Sequence, residues 1–251
     1  MKNQLTTKWY HEFDFPNGAK ARSSSNDINF HKHLWDFIQT HCDQIDFSNK
    51  TVLDIGCWDG KWSFYAEQRG AVSVLATDDL TQNWSDGEGI HLAKKYFKSN
   101  INIDQHRSVY NLESLDSKFD IILFLGVYYH LHDPLFALSQ IRHCCNNDTI
   151  VLIEGSVGCN YKDGEVTYNL QDPSQSVFLP AEQLWNQMIE LSYLKVIEQY
   201  YFSIEKLSAQ KHLITIPYAD RKFIVCKPFV GENSLYYYKP PFDLDKYDTR
   251  W

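Results

Sequence analysis

The sequence contains no C-x-x-C pair, no apolar run approaching the length of a membrane span, no internal repeat and no low-complexity segment. Without C-x-x-C, the six cysteines at positions 42, 57, 144, 145, 159 and 226 lack the common zinc spacings. Cys57 and Cys226 lie inside apolar runs and read as small buried residues. Free thiols without a secretory signal peptide predict a reducing, cytoplasmic setting. The lack of a long apolar run argues against a membrane span. A basic stripe is missing too: Lys94, Lys95 and Lys98 make only a short one, in a chain of formal net charge −8. That disfavours nucleic acid as partner, although a local patch can sit within an acidic average.

What is present is a globular chain. Hydrophobic residues are 43% of 251, enough for a sizeable core, and the length suits one α/β domain with appendages. Aromatic residues, 15% of the chain, crowd the first dozen positions, the stretch around Tyr128 and residues 236–251. Such clusters either pack the core and its edges or roof a binding cleft.

From residue 51 onward, strand-like and helix-like stretches alternate, which predicts a Rossmann-like, doubly wound, mostly parallel sheet. Seven strands are expected, at 51–55, 73–77, 103–110, 119–125, 149–154, 196–203 and 221–227. Helices are expected over 61–69, 90–98, 134–143 and 181–192. Gly70 stops the first of these, and Asp133 caps the third with Pro134 in its first turn. Ile28, Leu34, Phe37 and Ile38 form a helical apolar face ahead of the core, leaving 1–26 as an irregular aromatic arm. The expected organisation is an arm and helix over 1–50, a core over 51–230 with an insertion at 155–180, and an aromatic tail over 231–251.

The chemistry concentrates between the first strand and its helix, in Asp54-Ile55-Gly56-Cys57-Trp58-Asp59-Gly60, with Asp78 ending the next strand. Open α/β sheets bind ligands at this carboxyl edge. Glycines there admit a ligand close to the backbone, and an acidic side chain after the second strand can accept hydrogen bonds from two ribose hydroxyls. A dinucleotide site needs G-x-G-x-x-G, and Trp58 stands in the slot of its second glycine. Asp54 and Asp59 would oppose a pyrophosphate, and Gly60-Lys61 lacks the rest of a phosphate-binding P-loop. The same carboxylates suit an adenosine carrying an ammonium and a sulfonium.

The order strand, D-x-G-x-x-x-G, helix, strand, Asp resembles the class I methyltransferases that use S-adenosylmethionine (SAM), clearly over residues 51–154. The resemblance implies that Gly56, Cys57 and Gly60 approach the methionine part of SAM, that Asp54 orients the loop or the amino group, and that Asp78 holds the ribose. Ser108 and Val109 are the candidates beside adenine, where the usual Asp is absent.

A second motif, Leu125-Gly126-Val127-Tyr128-Tyr129-His130-Leu131-His132-Asp133-Pro134, follows the fourth strand. It resembles the G-V-x-Y-H loop of the tRNA wobble-uridine carboxymethyltransferase group and its small-molecule-methylating relatives. Trp9-Tyr10-His11 with Phe15-Pro16-Asn17-Gly18 is similar to the arm that closes over SAM in that group. The resemblance implies cofactor contacts for Trp9 and Leu125. His11 stands where an arm lysine for a carboxylated SAM is expected, which favours ordinary SAM and another acceptor.

Methyl transfer to a hydroxyl needs positioning and a base for the released proton. His130 is the candidate base, and its alternative is a histidine that bonds its own loop. Tyr129 either faces the sulfonium or packs in the core. His130, His132 and Asp133 in one tight turn rarely converge on a metal, so no metal site is expected. Candidate acceptor contacts are His11, Tyr128, Glu154, Tyr161 and Tyr168, with Phe178 as a further stacking surface. The tail docks either on the body or on a second subunit of a homodimer.

Three functions follow. The favoured one is SAM-dependent methylation of a hydroxyl, less readily an amine, on a small molecule or glycan. The others are tRNA wobble-uridine modification and non-catalytic SAM binding.

Overall fold

The structure is a computed structural model and describes residues 7–82, 86–158, 160–169, 177–202 and 220–229. The aromatic tail at 231–251 and Cys159 lie outside these residues. Contacts divide the chain into two compact units; of the described residues, the first holds those up to 108 and the second holds 109–202 and 220–229.

In the first unit, the arm is ordered by a small hairpin, β1 (Phe13–Asp14) against β2 (Lys20–Ala21), with Phe13 opposite Ala21. Its turn uses Gly18 at φ +81°. Helix α1 (Ile28–Cys42) buries Phe30, Leu34, Trp35, Ile38 and Cys42, one face at helical spacing. Of the expected apolar face, Ile28 and Phe37 are only partly covered, and Phe30 and Trp35 lie deeper. Strand β3 (Thr51–Ile55), helix α2 (Lys61–Gln68), strand β4 (Ser73–Thr77), helix α3 (Glu88–Phe97) and strand β5 (Asn102–Asp104) follow. β3, β4 and β5 pair in parallel, with Ile55 beside Thr77 and Thr77 beside Asp104.

The third strand is shorter than its pattern suggested. After Asp104 the polar run His106-Arg107-Ser108 leaves the ladder, the Arg107 amide donates to the Asp78 carbonyl, and Val109–Asn111 forms a single 3-10 turn.

In the second unit, β6 (Phe119–Leu125) is buried on both faces, with Ile122 and Phe124 at 0% exposure. The Asp133 carboxylate accepts from the Phe136 amide and caps α4 (Pro134–His143). Strand β7 (Cys145–Val157) runs three residues past the expected end, because an antiparallel partner continues beside it. A small pair, β8 (Val166–Tyr168) with β9 (Phe178–Pro180), gives the 155–180 insertion its order. Helix α5 (Glu182–Leu191), β10 (Leu194–Phe202) and β11 (Asp220–Pro228) complete the unit. β6 and β7 are parallel, and β11 pairs antiparallel with both β7 and β10.

Strands β3 to β7, β10 and β11 form the mixed, mostly parallel seven-stranded sheet that the sequence pattern predicts. Among the described residues no helix is long and apolar enough to cross a membrane, and Cys42, Cys57, Cys144, Cys145 and Cys226 are buried free thiols.

Candidate functional site

The loop from β3 to α2 is held in shape from both sides. Gly56, Trp58 and Gly60 all adopt positive φ, at 70°, 53° and 84°. A Cβ on Gly60 would lie 2.7 Å from Phe64 Cε2 and 2.8 Å from Ile90 Cγ1, so the sharp turn needs glycine twice over. The Gly56 and Cys57 amides both donate to the Thr77 carbonyl, at 2.9 and 3.0 Å, which ties the loop to the end of β4.

Asp78 is the second tie. Its Oδ2 accepts from the Trp58 amide at 2.9 Å and its Oδ1 from the Asp79 amide at 2.8 Å. The positive φ of Trp58, costly for a bulky residue, orients that amide.

Asp54 lies beneath the loop, 2% exposed, and its Oδ2 accepts from Ser63 Oγ at 2.5 Å. Burial pushes its carboxyl up to about 7, Asp78 adds to the rise, and the Ser63 hydroxyl opposes it. A cation placed here would favour the ionised form. Cys57 is buried and its thiol is raised well above the usual range by burial, so it serves packing.

The arm is fastened to the same loop through Asp59. Its Oδ2 accepts from the Tyr10 and His11 amides, at 2.9 and 2.8 Å, and its Oδ1 pairs with His11 Nδ1. Trp9 is 1% exposed, and Gly89 at the start of α3 leaves room for it: a Cβ there would sit 3.3 Å from Trp9 Cζ3. Lys61, the first residue of α2, places Nζ 5.6 Å from the Trp35 ring and 5.5 Å from the Trp62 ring. Ser108 is partly exposed and Val109 is buried in its 3-10 turn.

In the second unit, Gly126 takes φ 78° and its amide donates to the Glu154 carbonyl at 2.9 Å, turning β6 into the 3-10 turn Tyr128–His130. Tyr128 is fully buried: its hydroxyl donates to the Ser156 carbonyl at 2.7 Å and its ring stacks on Trp185 with centroids 4.0 Å apart. Tyr129 belongs to a cluster that the sequence reading missed. Arg221, on β11, makes a two-pronged ion pair with Glu154, Nε to Oε1 at 2.7 Å and Nη2 to Oε2 at 2.9 Å. Arg221 also donates to Ser156 Oγ at 3.0 Å and to the Tyr129 hydroxyl at 3.2 Å, with its guanidinium carbon 4.5 Å from the Tyr129 ring centroid. Burial raises the Tyr129 hydroxyl above its ordinary range, so it remains a phenol at neutral pH. His130 is exposed, and its ring lies 4.2 Å from that of Tyr129. On the insertion, the Tyr161 hydroxyl pairs with Thr167 Oγ1 at 2.8 Å, and Tyr168 is exposed with its ring 5.3 Å from Phe178.

The candidates therefore gather into two groups, described unit by unit. Trp9, His11, Asp54, Gly56, Cys57, Gly60 and Asp78 surround the β3–α2 loop. Leu125, Tyr128, Tyr129 and Glu154 surround the end of β6, with Tyr161 and Tyr168 out on the β8–β9 segment. Asp59 and Arg221 organise these groups, and neither was assigned its role from sequence. The signal for Arg221 was a charged residue just ahead of the apolar run Phe223-Ile224-Val225-Cys226, a position that in a buried strand calls for a carboxylate partner.

Three carboxylates, Asp54, Asp59 and Asp78, around a glycine turn fit a cationic adenosine ligand and oppose a pyrophosphate. Comparison with known proteins agrees. Residues 30–185 match the family model described as a methyltransferase domain. A tRNA U34 carboxymethyltransferase of Campylobacter hominis is 30% identical over 110 residues, covering 44% of this chain and 37% of that protein. One of Nautilia profundicola is 30% identical over 120 residues, covering 48% and 38%. The aligned part thus spans well under half of these relatives. A crystal structure of Burkholderia thailandensis 1,6-didemethyltoxoflavin-N1-methyltransferase, with bound 1,6-didemethyltoxoflavin and S-adenosylhomocysteine, superposes with a TM-score of 0.55 at 13% identity, covering 83% of this chain and 93% of that one. The chain belongs to the methyltransferase-domain family.

Proposed function

We propose that the protein methylates a hydroxyl group of a small molecule or glycan. The observation that carries this reading is the loop built around Asp78. A carboxylate that follows β4 and fixes the Trp58 amide within the glycine loop stands where the ribose of SAM would be held. Asp54, buried beneath the same loop, suits its cationic methionine end. SAM supplies an electrophilic methyl group, and the protein has to bind it, align the acceptor and take a proton. The net charge of −8 and the partly exposed aromatic rings of Tyr161 and Tyr168 support a compact acceptor over a polyanion. The test is release of S-adenosylhomocysteine across a panel of phenols, sugars and other small alcohols. Turnover with a hydroxyl acceptor supports the reading, and turnover confined to amines or tRNA refutes it.

A second reading, tRNA wobble-uridine modification, draws on the two relatives, both tRNA U34 carboxymethyltransferases, and on the resemblance of the Gly126–His130 loop to the G-V-x-Y-H loop of that group. It requires salt-sensitive tRNA binding, because phosphate contacts release counterions.

A further inference from the structure

We infer that His11 and Asp59 form a catalytic dyad in which the His11 imidazole takes the proton of the acceptor hydroxyl. The inference rests on the hydroxyl-acceptor reading above and places its base on the arm instead of at His130.

Asp59 is committed to the arm by three contacts, two from backbone amides and one from the His11 ring. The amides fix the rotamer of the carboxylate, and the carboxylate fixes the ring. Facing an acceptor-only group, Nδ1 carries the hydrogen, so the lone pair is left on Nε2. His11 is 5% exposed, yet Nε2 has no hydrogen-bond partner among the described residues. It also differs from the Trp9 and Trp35 indole nitrogens, which are unpartnered and sealed from solvent. An imidazole whose far nitrogen is held by a carboxylate and whose near nitrogen is open is the arrangement of an oriented general base.

The surroundings strengthen the pair. The rings of Tyr10, Trp35 and Trp62 stand 4.6, 5.1 and 6.3 Å from the His11 ring, giving an apolar wall that excludes bulk water. Asp59 is itself part of the glycine loop, one residue before Gly60, so the dyad is built on the segment assigned to SAM. The Lys61 ammonium, at the start of α2 and near the Trp35 and Trp62 rings, is a cationic neighbour of Asp59, and burial lowers its proton affinity.

The step balances without another reactant. The hydroxyl oxygen forms a bond to the methyl carbon of SAM, the carbon–sulfur bond breaks, and its electron pair remains on sulfur. The hydroxyl proton passes to His11 Nε2, and Asp59 stabilises the imidazolium until solvent takes the proton.

Two acceptors separate a base from a mere latch: phenol, which must lose its proton during transfer, and p-nitrophenolate, which has already lost it. Wild type, His11→Gln, Asp59→Asn and His130→Ala are compared for SAM affinity by calorimetry and for S-adenosylhomocysteine release. The expected result is that His11→Gln binds SAM within about threefold of wild type and loses on the order of 10²-fold in kcat with phenol and under about tenfold with p-nitrophenolate. Asp59→Asn follows the same split. Equal losses on both acceptors, collapse of SAM binding in His11→Gln, a larger phenol-specific loss in His130→Ala, or no wild-type turnover of either phenol would overturn the dyad. Failure of the wild type to bind SAM would instead overturn the function on which the dyad rests.

Discussion

At Asp54 a single carboxyl couples the fold to pH. Its folded-state value of about 7 stands above the ordinary 3.8, chiefly because it is buried. Between these values the unfolded chain ionises while the folded chain stays protonated. Stability therefore falls as pH rises through that window, by up to about 1.4 kcal/mol per pH unit. Asp54→Asn should flatten this fall, which urea titrations from mildly acid to neutral pH would measure; an unchanged slope would assign the carboxyl an ordinary value. Gly60 makes a steric prediction. Gly60→Ala forces a Cβ into Phe64 and Ile90 at φ 84° and should destabilise by about 1–3 kcal/mol. A loss of less than a few tenths in denaturant midpoints would show that the loop relaxes.

Among the elements, β6 carries Phe124 at full burial, and Phe124→Ala should cost about 3–5 kcal/mol in chemical denaturation. Removing the α4 cap by Asp133→Ala should cost about 0.5–2 kcal/mol, with the loss read as a lower melting temperature. These elements were also the legible ones. β3, β4 and β6 have the expected bounds because each is a short apolar run ended by a strong turn signal, such as Gly56 after β3. The third strand was overread because apolar Val109 and Tyr110 lie beyond a polar run that turns back toward Asp78. The length of β7 was underread because its last residues, Gly155, Ser156 and Val157, carry no strand pattern and are held by β11. The glycine loop and Asp78 could be seen from local spacing alone. Asp59 with His11 and Glu154 with Arg221 could not, since each pair joins residues 48 and 67 positions apart.

Across the whole chain, charge separates the candidate acceptors. A protein of net charge −8 should bind tRNA no more tightly than an unrelated acidic protein in filter binding at physiological salt. Tight binding that weakens steeply with added salt would move the acceptor from small molecule to RNA. The family assignment spans residues 30–185. The cofactor carries the account, so the decisive measurement is calorimetric titration of the full chain and of Asp78→Ala with SAM, with NAD as control. The account predicts micromolar binding of SAM, none of NAD, and at least a tenfold loss of SAM affinity, about 1.4 kcal/mol, in Asp78→Ala. SAM binding that survives Asp78→Ala unchanged, or NAD binding in its place, would contradict it.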